Sequence, residues 1–61
     1  MTDEEKRIIT EYFEKCGATA SESCLERIEK EDLTNDFLEY AKTGKKLFPG
    51  DIYTIVAYGG F

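Results

Sequence analysis

The fold is decided by residues 2–17, whose sequence is TDEEKRIITEYFEKCG. Thr2 followed by Glu5 fits a capping box, and three consecutive acids in the first turn suit the helix dipole. Apolar side chains at positions 8, 9, 12, 13 and 16 recur at helical spacing and share one arc of the helix surface. Gly17 stands where a left-handed, helix-ending residue is expected. The stretch therefore predicts a helix over residues 3–16 with one buried face.

A second helix is predicted directly after the first. Thr19 with Glu22, or Ser21 alone, can cap it, and it should end near residues 30–32. Its thin apolar stripe consists of Ala20, Cys24, Leu25 and Ile28. Because the stripe is thin, we expect this helix to depend on packing against its neighbours.

A third helix is predicted with Asp32 or Thr34 as its cap and with Thr43-Gly44 as its end. Its buried stripe has the helical pattern Leu33, Phe37, Leu38, Tyr40 and Ala41.

Residues 52–58 allow two interpretations. Their β-branched side chains favour a strand, whereas Asp51 as a cap and Gly59-Gly60 as a stop favour a helix. A strand would need residues 45–48 as its partner through Pro49-Gly50, and the type II turn favoured by that pair suits a hairpin poorly. We prefer a fourth short helix, with a β-strand or hairpin as the alternative. The sequence thus predicts a mainly α fold, a compact three- to four-helix small domain spanning residues 1–61.

The helical stripes together predict a hydrophobic core. The predicted core residues are Ile8, Ile9, Tyr12, Phe13, Leu25, Ile28, Leu33, Phe37, Leu38, Leu47, Phe48, Ile52 and Ile55. A chain of 61 residues is near the lower limit for folding alone, so it can offer a surface or a groove more readily than a deep catalytic cleft.

Catalytic and cofactor chemistry have little support in the sequence. The chain has no histidine, and neither a GxGxxG nor a GxxxxGK phosphate loop is present. Cys16 and Cys24 fall within apolar arcs, so we expect them to be buried and reduced rather than joined as a disulfide or redox pair. Two sulfurs without histidine cannot complete a tetrahedral zinc site within one chain. We therefore expect no enzyme activity, no catalytic residues, no cofactor and no metal.

Localisation is inferred from what the sequence contains. No apolar run reaches the roughly 18 residues of a membrane span, and the first residues are acidic rather than those of a secretory signal. We expect a cytoplasmic protein without a membrane partner. The net charge of −5 also makes nucleic acid an unfavourable partner.

By elimination, the sequence favours a non-enzymatic, small acidic protein-interaction or regulatory module whose partner is another protein. The candidate partner-binding residues are Lys42, Lys45, Lys46 and Phe61. The three lysines also fit a plainer interpretation, as cations placed favourably near a helix C-terminus. A homodimer formed through the C-terminal segment is a further candidate.

Two alternatives remain at this stage. In a winged-helix or helix-turn-helix DNA-binding regulator, the third helix would approach bases, Lys45 and Lys46 would contact phosphate, and residues 45–56 would form a wing. Asp36 and Glu39 on that recognition helix oppose this interpretation. The other alternative is an acidic nucleic-acid mimic that inhibits a basic target.

Overall fold

A computed structural model describes residues 1–59, and these residues form four α-helices. The helices are α1 (Asp3–Lys15), α2 (Glu22–Lys30), α3 (Thr34–Thr43) and α4 (Pro49–Tyr58). The predicted mainly α fold is confirmed, and no strand occurs within residues 1–59. The strand or hairpin alternative for the C-terminal segment is wrong. Pro49 occupies the first turn of α4, a position where proline has no hydrogen bond to lose.

Helix α1 begins and ends as its sequence predicts. The Glu5 N–H donates to Thr2 Oγ1 at 3.1 Å, and the Thr2 N–H donates to Glu5 Oε1 at 2.8 Å, which completes the capping box. At the other end Gly17 has φ 83°. The Ala18 N–H then donates to the Phe13 carbonyl at 2.8 Å, the closing bond of a Schellman motif.

Helix α2 is capped by Ser21, whose Oγ accepts the Cys24 N–H at 3.2 Å. It ends in a second Schellman motif with Asp32, not glycine, in the left-handed conformation at φ 57°. The Leu33 N–H donates to the Ile28 carbonyl at 2.8 Å. Both predicted caps of α3 are wrong, because Asp32 is used to end α2 and Leu33 becomes the N-cap of α3 without a side-chain cap.

Helix α4 begins earlier than predicted. Phe48 is its N-cap, and Asp51, the predicted cap, lies inside the first turn. Gly59 ends the helix at φ 74°, as the Gly-Gly stop predicts. Residues 44–48 therefore form a short connection between α3 and α4. None of the four described helices is long and apolar enough to cross a bilayer.

The core lies between two helix pairs, α1 packed on α3 and α2 packed on α4. Its buried residues are Ile9, Tyr12, Phe13, Ala18, Leu25, Ile28, Leu33, Phe37, Leu47, Ile52, Ile55 and Val56. The rings of Phe13 and Phe37 lie 5.2 Å apart at its centre, within the range of favourable aromatic contacts.

Three residues that the sequence assigns to the core are not buried in the structure. Leu38 is only half-buried, although it packs against the core. Ile8 is also half-buried, and it lies in a surface groove. Phe48 is 78% exposed, because as the N-cap of α4 it precedes the helical turns that face the core.

Candidate functional site

The predicted partner-binding residues do not form a single patch. Lys42, Lys45 and Lys46 are all exposed, but only Lys45 and Lys46 line a groove, and Lys42 lies outside it. Phe61 lies outside the described residues, so its predicted role stays a prediction.

The groove lies between α1 and the C-terminal end of α3 and has a volume of about 400 Å³. This volume is within the range of small ligand pockets. We call it the lysine groove. Its lining consists of Ile8, Glu11, Tyr12, Lys15, Cys16, Ala41, Gly44, Lys45 and Lys46.

The wall of the lysine groove opposite α1 is held by backbone and aromatic contacts. Gly44 adopts φ 72°, which turns the chain at the end of α3, and the Lys45 N–H donates to the Tyr40 carbonyl at 3.0 Å. The Tyr12 hydroxyl then donates to the Lys45 carbonyl. The Lys45 ammonium lies 4.9 Å from the centre of the Tyr40 ring, which is a cation–π contact, and Lys45 as a whole is exposed.

The lysine groove is basic, although the protein as a whole is acidic. Within residues 1–59, the ion pairs are the Met1 ammonium with Glu29 and Arg27 with Glu31, so Lys15, Lys45 and Lys46 have no carboxylate partner there. Glu11 is the one acid among the described residues of the lining. Three lysines against one glutamate give the lining of the groove a net positive charge.

Sequence reasoning missed the α1 side of this groove. The apolar arc of α1 predicts Ile8 as a core residue. On the helical wheel, however, Ile8 lies at the boundary of that arc, next to Lys15 and Glu11. A boundary position between apolar and charged side chains is where an amphipathic helix meets solvent. Phe13 lies at the other boundary of the arc and is fully buried, so the boundary position alone does not identify Ile8 as a surface residue.

Tyr12 and Cys16 meet at the floor of the groove. Burial raises the pKa of the Tyr12 phenol, and the neighbouring Cys16 raises it further, so the phenol stays a protonated donor. Cys16 and Cys24 are free thiols, but both are half-buried rather than buried as predicted. Within residues 1–59 no group of three or more potential ligands is arranged to hold a metal ion.

A second candidate surface is the outward side of α4. Phe48 is 78% exposed, Tyr58 81% and Tyr53 43%. The exposed residues Gly50, Thr54 and Ala57 lie on the same helix, and Asp51 is the only charged residue of α4. We call this the α4 surface, defined by the exposed residues Phe48, Gly50, Asp51, Tyr53, Thr54, Ala57 and Tyr58.

The α4 surface is fixed to the rest of the protein at two points. The Tyr53 hydroxyl accepts the Thr19 N–H at 3.0 Å, and the Arg27 guanidinium donates to the Ala57 carbonyl at 2.9 Å. Both contacts hold the helix against the α1–α2 side of the molecule. They leave the rings of Phe48 and Tyr58 exposed.

The unit formed by α2, a short turn and α3 resembles a helix-turn-helix only in outline. The wing expected at residues 45–56 is wrong, because α4 begins at Pro49. The exposed side chains of α3 include Asp36 and Glu39 beside Lys42, so acids stand where a phosphate backbone would approach.

The fold and its surfaces define a small four-helix domain with a basic groove and an aromatic, nearly uncharged helix surface. No protein-family model, curated protein or solved structure matches the chain.

Proposed function

We propose that this protein is a non-enzymatic interaction module that binds another protein through the α4 surface. The observation that supports the proposal is the exposure of Phe48 and Tyr58 on a helix with a single charged residue. Charged residues make up 34% of the whole chain, so the α4 surface differs sharply from the average composition. The proposal includes a cytoplasmic site of action, where the free thiols would stay reduced.

The composition of the α4 surface favours a protein over other partners. The centres of protein interfaces are depleted in charge and enriched in aromatic residues. Nucleic acid binding requires cations to neutralise phosphate, and α4 contains no lysine or arginine. An interfacial membrane helix would carry basic residues on its polar side, and these are missing from α4 too.

The energy available from the α4 surface is concentrated in the two most exposed rings. Complete burial of a phenylalanine side chain contributes about 1.5–3 kcal/mol. Phe48 and Tyr58 lie near opposite ends of α4, and the small residues Gly50, Thr54 and Ala57 occur between them in the chain. In the proposed complex the partner packs against these small residues and buries the two rings as anchors, as expected of binding hot spots.

A comparison of three immobilised proteins tests the proposal: the wild type, Phe48→Ser/Tyr58→Ser, and the control Glu26→Ser/Lys30→Ser, which changes two exposed residues of α2. Each is incubated with extract of the native host, and bound proteins are quantified by mass spectrometry. We expect at least one protein that binds the wild type and the control but is strongly depleted on the α4 variant.

Identical sets of bound proteins on all three would contradict the proposal. Sedimentation of the wild type over a range of concentrations adds the homodimer to the same test. A dimer that dissociates in Phe48→Ser/Tyr58→Ser would identify a second copy of the chain as the protein partner.

A further inference from the structure

We infer that the lysine groove is a second binding site, and that its ligand is an acidic peptide segment of a partner protein with an apolar side chain as its anchor. The site is separate from the proposed α4 surface, since the two share no residue. The inference rests on the juxtaposition of Ile8 with Lys15, Lys45 and Lys46 in one groove.

Ile8 explains why the ligand needs an apolar anchor. It is half-buried, and within residues 1–59 it is neither part of the buried core cluster nor among the partly buried side chains packed against that cluster. Its apolar surface instead contributes to the groove with Tyr12 and Ala41. A side chain of a ligand that covered Ile8 would remove apolar area from water on both sides of the contact.

The lysines explain why carboxylates should flank that anchor. Lys15 lies on α1, whereas Lys45 and Lys46 lie on the opposite wall, so lysines line the groove on two sides. None of the three pairs with a carboxylate within residues 1–59. An incoming carboxylate therefore gains a partner on either wall without breaking an existing ion pair.

Glu11 and the total charge limit the ligand to a short segment. Glu11 stands on the α1 wall and repels a continuous row of anions, but its carboxylate can accept the N–H of a peptide backbone. The net charge of −5 opposes a long polyanion such as nucleic acid. A peptide with one or two acids beside an apolar residue satisfies both conditions.

The test begins with selection from a random peptide library displayed on phage, with the full chain as the immobilised target. We expect enriched peptides that combine a large apolar residue with neighbouring aspartate or glutamate. Synthetic copies added to isotope-labelled protein should shift the amide resonances of Ile8, Cys16 and Lys45. Added salt should weaken their binding, as expected for contacts between exposed charges.

Matched variants then test the role of the groove. Lys45→Gln/Lys46→Gln should weaken binding about tenfold, whereas Lys30→Gln/Lys42→Gln removes the same charge outside the groove and should leave affinity unchanged. Ile8→Ser should weaken binding independently of salt. Phe48→Ser/Tyr58→Ser should leave peptide binding intact, so failure of the α4 proposal and failure of this one are distinguishable.

Several results would overturn the inference. These are a library without enrichment, enriched peptides without acids, resonance shifts confined to α4, or equal losses in the two lysine variants. Tighter groove binding by a short single-stranded oligonucleotide than by the selected peptides would also overturn it.

Discussion

The Tyr12 hydroxyl donates a hydrogen bond to the backbone carbonyl of Lys45, 33 positions further along the chain. This bond joins the C-terminal half of α1 to the segment that leads from α3 into α4. Tyr12 itself is buried, with its ring 6.5 Å from that of Tyr40. One side chain thus contributes to the core, fixes the turn after α3 and positions one wall of the lysine groove.

The first prediction concerns this bond. Tyr12→Phe keeps the ring but leaves the Lys45 carbonyl without its donor, so it should reduce the free energy of unfolding by about 1 kcal/mol in urea denaturation. Tyr53→Phe is the matched control, because the Tyr53 hydroxyl accepts the exposed Thr19 N–H, which water can satisfy instead. An equal loss in both variants would show that the Tyr12 bond has no special structural role.

The four helices could be predicted because local signals agreed with the apolar pattern. The capping box of α1 and the glycines after α1, α3 and α4 act within a single turn of chain, so the sequence shows them directly. Ile9 and Phe37 lie inside their apolar arcs and are fully buried.

The prediction of the α3 N-cap was wrong because one residue can belong to either of two neighbouring helices. Asp32 suits a helix cap, but its use as the left-handed end of α2 depends on Leu33 packing back onto the core. The lysine groove depends on α1 meeting the segment after α3, and no local pattern encodes that contact. Lys45 and Lys46 could be named from charge alone, whereas Ile8 and Lys15 could not.

The second prediction uses the strain at Asp32. A non-glycine residue at φ 57° is less favourable than glycine, so Asp32→Gly should raise the free energy of unfolding by a few tenths to about 1 kcal/mol. Glu39→Gly removes the same charge from the interior of α3 and should instead lower it by about 0.5–1 kcal/mol. Chemical denaturation of both variants checks the signs, and destabilisation by Asp32→Gly would contradict the proposed strain.

The third prediction compares two glycines by backbone conformation alone. A methyl group at Gly17 would meet Pro49 at an ordinary distance of 3.7 Å, so Gly17→Ala is strained by its φ of 83° and not by a clash. It should cost about 1 kcal/mol of unfolding free energy. Gly50 lies within α4 with open space around it, so Gly50→Ala should add about 0.5–1 kcal/mol. Thermal melting of the two variants should therefore shift the Tm in opposite directions.

The fourth prediction addresses the DNA-binding alternative. Because Asp36 and Glu39 are exposed on α3 and the net charge is −5, we expect no binding of random duplex DNA at physiological salt. Fluorescence anisotropy with a labelled duplex measures this directly. Micromolar binding that weakens with salt and disappears in Lys45→Ala/Lys46→Ala would support the regulator instead.

The last prediction concerns the contribution of α4 to folding. Ile52 is fully buried, and Ile55 and Val56 are 2% and 6% exposed, so this face of α4 closes the core that α2 begins. Ile52→Ala leaves a cavity and should cost about 2–5 kcal/mol. A domain of this size has only about 3–5 kcal/mol of net stability, so the variant should be largely unfolded by circular dichroism and NMR.

Tyr58→Ala is the control on the same helix. The Tyr58 ring is 81% exposed, so the change in unfolding free energy should stay within about 0.5 kcal/mol. A cooperative melt of Ile52→Ala close to that of the wild type would contradict the role of α4 in the core. Ile52, Ile55 and Val56 would then have to form a second binding surface, in addition to the α4 surface.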